Sequence, residues 1–344
     1  MVIEQLELAD FRNFTLRKLA FSHHNVIFYG PNGSGKSNTL ESIAFLSLLR
    51  SFRNAPPREL IRLGAKNFRL SAVINTAHGK ETLTVKESLS GQRELFIGQA
   101  AVRRSSDFIR EFHSVVFSPE DRMLTGGSSG YRRKFFDILI STIEPEYLQR
   151  LSRYTRALMQ RNRALKQNPK LAGAFNEELA LQAPFIAARR QHYTKELTVA
   201  VNTLLNGENT VEIIYKGDTP DSPHAFLELL ASRSASEQRR GCTLTGVHLD
   251  EFEIIFNGKS LRTFGSTGQL RLISLLMKLA QFQMFRHQTP APVAVLADDI
   301  TGELDEHNLN LFLSTISHAD QCFFTFASTI PEKLRDAQCI TLPQ

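Results

Sequence analysis

The sequence predicts an α/β fold whose sheet is assembled from both ends of the chain, with a helical arm inserted between them. Near the start, the apolar run Val26-Ile27-Phe28-Tyr29 stops at Gly30-Pro31-Asn32-Gly33, and a helical pattern follows Lys36. Near the end, Val293-Ala294-Val295-Leu296-Ala297 is a second buried-strand run, closed by Asp298-Asp299. Between them, residues 132–205 turn helical in texture.

Residues 2–8 alternate apolar and polar, as a half-buried strand does. Leu40, Ile43, Ala44 and Leu48 fall on one face of the helix after Lys36. Residues 68–86 predict a hairpin turning near His78-Gly79. Val115-Val116-Phe117 predicts a buried strand that ends at Pro119. In the helical segment Leu151, Leu158 and Leu165 recur every seven residues. Leu148, Thr155 and Asn162 hold the companion positions, which makes a poor coiled-coil seam and suits a helical hairpin. Asn168-Pro169 breaks the first helix, and Pro184 divides or starts the returning one.

Residues 218–223 predict a loop, and 251–261 a hairpin around Asn257-Gly258. A helix over 270–285, a helix over 307–316 and a last apolar strand over 322–326 complete the pattern. The expected boundaries are 1–130 for the first part of a head, 131–240 for the arm and 241–344 for the second part of the head.

With 344 residues, 42% of them hydrophobic, the chain can bury a real core as one large domain or two modest ones. No apolar run is long enough to span a bilayer. The first residues carry no basic segment or small-residue cleavage site, so no secretory signal is expected. Cys242, Cys322 and Cys339 are odd in number and lack metal-like spacing. A reduced, cytoplasmic protein is expected. The formal net charge of +6 is uneven: residues 147–197 hold ten Lys/Arg against three Glu, leaving the rest about neutral. Such a segment suits an anionic partner such as nucleic acid, and equally a solvated helix surface.

Gly30-Pro31-Asn32-Gly33-Ser34-Gly35-Lys36-Ser37 fits G-x-x-x-x-G-K-[ST]. Glycines let backbone N–H groups wrap phosphates, and the helix adds its positive end. Lys36 is expected to reach the β- and γ-phosphates of ATP, and the Ser37 hydroxyl to ligate Mg²⁺. Asp298, at a strand tip, suits Mg²⁺, and Asp299 suits orientation or deprotonation of an attacking water. Gly265-Ser266-Thr267-Gly268-Gln269 precedes a helix, as an anion site or a plain helix cap would. In ABC-type ATPases such a loop from one subunit caps the γ-phosphate held by the other. Placed some thirty residues before the paired acids, it points to an ABC/SMC-type P-loop ATPase head built from both chain ends.

Asp10-Phe11-Arg12-Asn13-Phe14, the glycine loop through Asn38, and Ser51-Phe52-Arg53 resemble the start of the RecF family of bacterial DNA-repair ATPases, which are related to SMC heads. Phe117-Ser118-Pro119-Glu120-Asp121, then Gly130-Tyr131-Arg132-Arg133-Lys134-Phe135-Phe136-Asp137, continue the resemblance. Gly265 to Arg271 and Ala297 to Asn308 complete it, in the expected order. The resemblance implies that Arg12 and Asn13 lie near the nucleotide. It also implies that Gly302-Glu303-Leu304-Asp305 forms a D-loop reaching across a dimer. Thr325 falls where ABC proteins place a switch residue, but no histidine is there, and no Q-loop glutamine stands near Pro119-Glu120. Gly246-Val247-His248-Leu249-Asp250-Glu251 lacks a proline and an arginine usual in the family, and Ala297 replaces a larger apolar residue.

The expectation is an ATP-dependent homodimer that clamps double-stranded and gapped DNA. Arg150, Arg153, Arg156, Arg161, Arg163 and Lys166 are the candidate phosphate contacts. The resemblance adds weak DNA-stimulated ATP hydrolysis, a nucleoid-associated location, action at single-strand/double-strand junctions, and help in loading RecA with RecO and RecR. The alternatives are an ATP-switched binding module with negligible turnover, and a transporter ATPase or small-molecule kinase, which would leave the arm or the 265–269 loop without a use.

Overall fold

β1 (Ile3–Phe11) buries Ile3, Leu6, Leu8 and Phe11; alternation holds at Leu6 and Leu8, and the register shifts between Ile3 and Gln5. The computed structural model describes residues 2–76, 79–207, 209–300, 304–327 and 330–342. These form two units, Met1–Asp121 with Ser274–Gln344, and Arg122–Ile273.

In the first unit, β1 turns into β2 (Phe14–Ala20), and β3 (Asn25–Tyr29) leads through the glycine loop into α1 (Lys36–Leu48). There follow β4 (Asn67–Thr76), β5 (Gly79–Ser88), β6 (Arg93–Ile97), β7 (Ala100–Val102), α2 (Ser105–Ile109) and β8 (His113–Phe117). An antiparallel sheet takes the order β2-β1-β4-β5-β6-β7. The hairpin expected over 68–86 is β4 and β5, though His78 lies outside the described residues.

The second unit holds α3 (Arg122–Gly126), α4 (Ser129–Ile143), α5 (Pro145–Gln167), α6 (Asn176–Leu205), β9 (Val211–Lys216) and α7 (Pro223–Arg240). It continues with β10 (Glu251–Phe256), β11 (Lys259–Ser260) and α8 (Leu261–Phe264). The compact unit is wider than the 131–240 expected from the helical texture, because the sheet β11-β10-β9 packs with its helices; Phe252 stacks on Phe136 at 4.0 Å. Pro184 lies inside α6, which neither starts nor divides there. The buried seven-residue series on α5 is Tyr147, Tyr154 and Arg161; of the three leucines only Leu165 is fully buried.

The boundary between the units falls within α9 (Thr267–Gln288). Beyond it, β12 (Val293–Asp298), α10 (Glu306–Ile316), β13 (Gln321–Phe326) and β14 (Gln338–Thr341) return to the first unit. An all-parallel sheet runs β14-β3-β13-β12-β8, joining strands from both chain ends. Its central strands are mostly apolar, Asn25, Asp298, Gln321 and Thr325 excepted, because both faces are covered.

The one-sided apolar face expected on α1 is not what the structure has. Residues 39–47 are buried all round, Thr39, Glu41 and Ser42 included. α1 packs against β1, β4 and β5 of one sheet and β8, β12 and β13 of the other. A helix between two layers has no solvent face and needs no amphipathic stripe. Phe45 meets Phe68 edge-on at 5.4 Å, and Phe68 meets Phe11 at 5.2 Å. Each buried ring contributes roughly 1.5–3 kcal/mol.

Candidate functional site

Strand register gathers the chemistry. Asp298 of β12 lies opposite Thr325 of β13, and Thr325 opposite Phe28 of β3, two residues before Gly30. Neighbouring strands are about 4.8 Å apart, so the acid sits two strands, roughly 10 Å, from the root of the glycine loop.

The loop needs its glycines for space as well as angle. At Gly35 φ is 92°, and a Cβ would fall 2.5 Å from Phe14 Cζ and 3.0 Å from Asn13 Nδ2. At Gly30 a Cβ would fall 2.5 Å from the Leu342 carbonyl oxygen. Lys36, nearly buried at 9% exposure, donates to the carbonyls of Gly30 at 2.6 Å and Pro31 at 2.8 Å. Its ammonium is thus held over the loop at the positive end of α1.

Asn32, Gly33, Gly35, Lys36, Ser37 and Asn38 line a cavity of about 230 Å³ together with Arg53, Asp299, Thr325 and Ala327. Pockets enclosing a whole drug-sized ligand run roughly 300–1,000 Å³, so this one matches the phosphate end of a nucleotide. Ser34 adds a buried hydroxyl with no protein partner, which fits an acceptor-rich phosphate group. Among the described residues no cluster of three His, Cys, Asp or Glu could hold a metal. The donors near the loop, the Ser37 hydroxyl and the Asp298 carboxylate, suit Mg²⁺, which takes one or two protein oxygens beside phosphates and water.

Around the cavity runs a chain of polar contacts. Asn38 donates Nδ2–H to Asn13 Oδ1 at 2.8 Å, and Arg53 donates Nη1–H to Asn38 Oδ1 at 3.0 Å. Arg53 Nη2 lies 3.7 Å from Asp298 Oδ2. The Thr325 hydroxyl donates to Asp298 Oδ1, and the Asp299 N–H donates to that hydroxyl, each at 2.9 Å. Asn13 is therefore beside the loop. Arg12 is committed elsewhere, with two donors on Glu41 and one on the Glu59 carbonyl. It buttresses the turn that carries Asn13. Sequence reasoning gave Arg53 no role at the site; its only signal was its place in the Ser51-Phe52-Arg53 string.

In the second unit, Ser266 and Gln269 form a capping box on α9. Gln269 N–H donates to Ser266 Oγ at 3.2 Å, and Ser266 N–H to Gln269 Oε1 at 2.9 Å. Ser266, Thr267 and Gly268 are exposed. A Cβ on Gly268 would meet nothing nearer than Ser266 Oγ at 3.9 Å, so no described neighbour demands glycine there. Asp305 caps α10 by accepting from Asn308 N–H at 2.8 Å; Gly302 and Glu303 lie outside the described residues. In the divergent 246–251 segment, Asp250 is buried against Arg190 and Tyr215. Burial pushes its carboxyl above the usual range, with the Arg190 guanidinium opposing.

The arm corrects one candidate. Arg161 is 3% exposed and donates to Glu237, Thr243 and Asn176. It is an internal clamp, out of reach of an outside phosphate. Arg150 bonds Glu146 and stacks over Phe185, and Arg153 holds Glu178 through two donors. Arg156, Arg163 and Lys166 are exposed, with no described carboxylate pairing them. Lys166 also adjoins Gly241, which caps the end of α7, so exposed Arg239 and Arg240 stand near it. Reading 147–197 as one charge block missed these two.

The family described as RecF/RecN/SMC N terminal domain matches residues 2–339. The DNA replication and repair protein RecF of Lactobacillus johnsonii is 33% identical over 94% of this chain and 92% of its own length. That of Synechococcus sp. strain JA-3-3Ab is 32% identical over 94% and 91%. A solved structure described as the recombination mediator protein RecF-ATP in the RecFOR pathway superposes with a TM-score of 0.89, at 26% identity, over 99% of this chain and 95% of that one. An SMC head bound to the C-terminal winged-helix domain of ScpA reaches a TM-score of 0.51 at 16% identity, a likeness of fold. No helix among the described residues is long and apolar enough to cross a membrane.

Proposed function

The chain belongs to the RecF family, within the RecF/RecN/SMC class, and from that premise we propose that it is an ATP-hydrolysing, DNA-binding protein of replication and repair that works as a nucleotide-gated clamp. The observation that carries this is one cavity whose lining brings the glycine loop, Lys36 and Ser37 together with Asp299, with Asp298 held beside it.

Lys36 would leave its loop carbonyls for the β- and γ-phosphates, where its charge offsets theirs. Mg²⁺, when bound, supplies further positive charge against the phosphates, and Ser37 and Asp298 are the residues that would hold it. Asp299 would orient or deprotonate the attacking water. Ser266 and Gly268 of a second copy would close over the γ-phosphate; the open space at Gly268 supports that, since glycine there permits close approach of an outside group. Asp305 would reach across the same interface. Loss of the γ-phosphate then removes the contact between copies and opens the dimer.

The arm would contribute Arg156, Arg163 and Lys166, joined by Arg239 and Arg240, to duplex or gapped DNA. Partnership with RecO and RecR, action at single-strand/double-strand junctions and help in loading RecA are proposed from the family, as is weak stimulation of hydrolysis by DNA. Steady-state ATP turnover with and without duplex DNA tests the enzyme reading. Lys36→Ala should abolish binding and turnover, and Asp299→Asn should retain bound ATP in a long-lived dimer. Unaltered turnover in Asp299→Asn would remove that residue from the chemistry.

A further inference from the structure

We propose that Thr325 is the positioning residue of the hydrolytic pair, its single hydroxyl holding both Asp298 and Asp299. This deepens the ATPase reading above and rests on it.

Thr325 sits at the tip of β13, a strand paired on both sides, by β3 and by β12. It is 2% exposed, so its hydroxyl must be satisfied inside the protein. A threonine hydroxyl has one proton. Here that proton goes to Asp298 Oδ1, and the oxygen accepts the Asp299 N–H. The two bonds do different work. The first fixes the rotation of the Asp298 carboxylate, leaving Oδ2 turned toward Arg53 and the cavity side. The second holds the backbone of Asp299, whose φ is 53°. A left-handed, non-glycine residue is strained and persists only where its surroundings fix it. That turn takes the chain out of the strand and brings Asp299 into the cavity lining.

With its proton spent on Asp298, Thr325 has none to donate to a phosphate unless that bond breaks. Its expected effect is therefore on the placement of the metal-binding oxygen and of the water-directing acid, with nucleotide affinity at saturating metal left nearly intact. Residues that orient a metal ligand from behind typically change metal affinity or activity about 10–100-fold when replaced.

The test compares Thr325→Val, which keeps the shape and removes the hydroxyl, with Thr325→Ser, which restores it. Thr325→Ala repeats the deletion if the valine variant is insoluble. Binding of a fluorescent ATP analogue is followed as Mg²⁺ is titrated, alongside turnover and thermal melting. The deletion variants should need at least about tenfold more Mg²⁺ for half-maximal binding, and turn over at least about tenfold more slowly. Their affinity at saturating Mg²⁺ should stay within about threefold of the parent, and Thr325→Ser should recover most of both losses. A merely structural role would lower the melting temperature without moving the Mg²⁺ midpoint. Deletion variants with the parental midpoint and turnover, or a serine variant as impaired as the valine one, would overturn the proposal. So would a large affinity loss at saturating Mg²⁺, which would put Thr325 on the phosphate itself. Failure of the parent to bind ATP, or normal binding by Lys36→Ala, would instead sink the ATPase reading.

Discussion

Arg12 lays its guanidinium along both carboxylate oxygens of Glu41, Nε to Oε2 at 2.8 Å and Nη2 to Oε1 at 2.9 Å. Glu41 is fully buried inside α1 and also accepts from the Ser51 hydroxyl. Arg12→Ala would strand that charge between two sheets. Breaking a buried pair from one side costs about 3–5 kcal/mol, which chemical denaturation would register. Glu41→Gln in the same background should recover part of the loss, because it removes the orphaned charge.

Arg53 and a metal ion would compete for Asp298 Oδ2. Arg53 is 30% exposed, Asp298 is nearly buried and the 3.7 Å contact is long, so the pair contributes on the order of 1 kcal/mol. Arg53→Ala should therefore lower the Mg²⁺ midpoint for nucleotide binding by up to about fivefold, the equivalent of that energy. A midpoint that rises would show that Arg53 supports the metal site instead.

On the arm, position separates two kinds of arginine. Lys166→Ala or Arg163→Ala should weaken DNA binding evenly across sequences and reduce the slope of log affinity against log salt by about one each. Arg161→Ala should leave the slope alone and destabilise the fold by about 3–5 kcal/mol, since it leaves buried Glu237 unpaired. A changed slope in Arg161→Ala would contradict its burial.

Burial holds the His113 imidazole neutral, lowering its pKa to about 4. The unfolded chain takes up that proton below about pH 6.5 and the folded one only near pH 4, so stability is intact above 6.5 and is lost between 6.5 and 4. The full loss from this group is about 3 kcal/mol. His113→Gln should flatten the dependence of unfolding free energy on pH across that window. An unchanged profile would mean that another group governs acid sensitivity.

The glycine loop and the Val293–Asp298 strand were legible because each is local: a few consecutive residues state both conformation and chemistry. The burial of α1 was hidden, since Thr39, Glu41 and Ser42 look like a solvent face until a second sheet covers them. β7, only the three residues Ala100-Ala101-Val102, is too short to carry a pattern of its own. Arg161 could not be told from Arg163 by sequence, because its partner Glu237 lies 76 positions away. Thr325 had a place but no role until the parallel register set it opposite Asp298.

The central claim is that the terminal phosphate joins two copies. Particle mass in solution, measured with ATP, with ADP and without nucleotide, each with and without duplex DNA, tests it most directly for the parent and for Ser266→Arg. The account predicts a dimer of the parent with ATP alone or with DNA, monomers with ADP, and a Ser266→Arg protein that binds ATP yet stays monomeric. A parent that remains monomeric with ATP and DNA, or a Ser266→Arg variant that dimerises like it, would contradict the account.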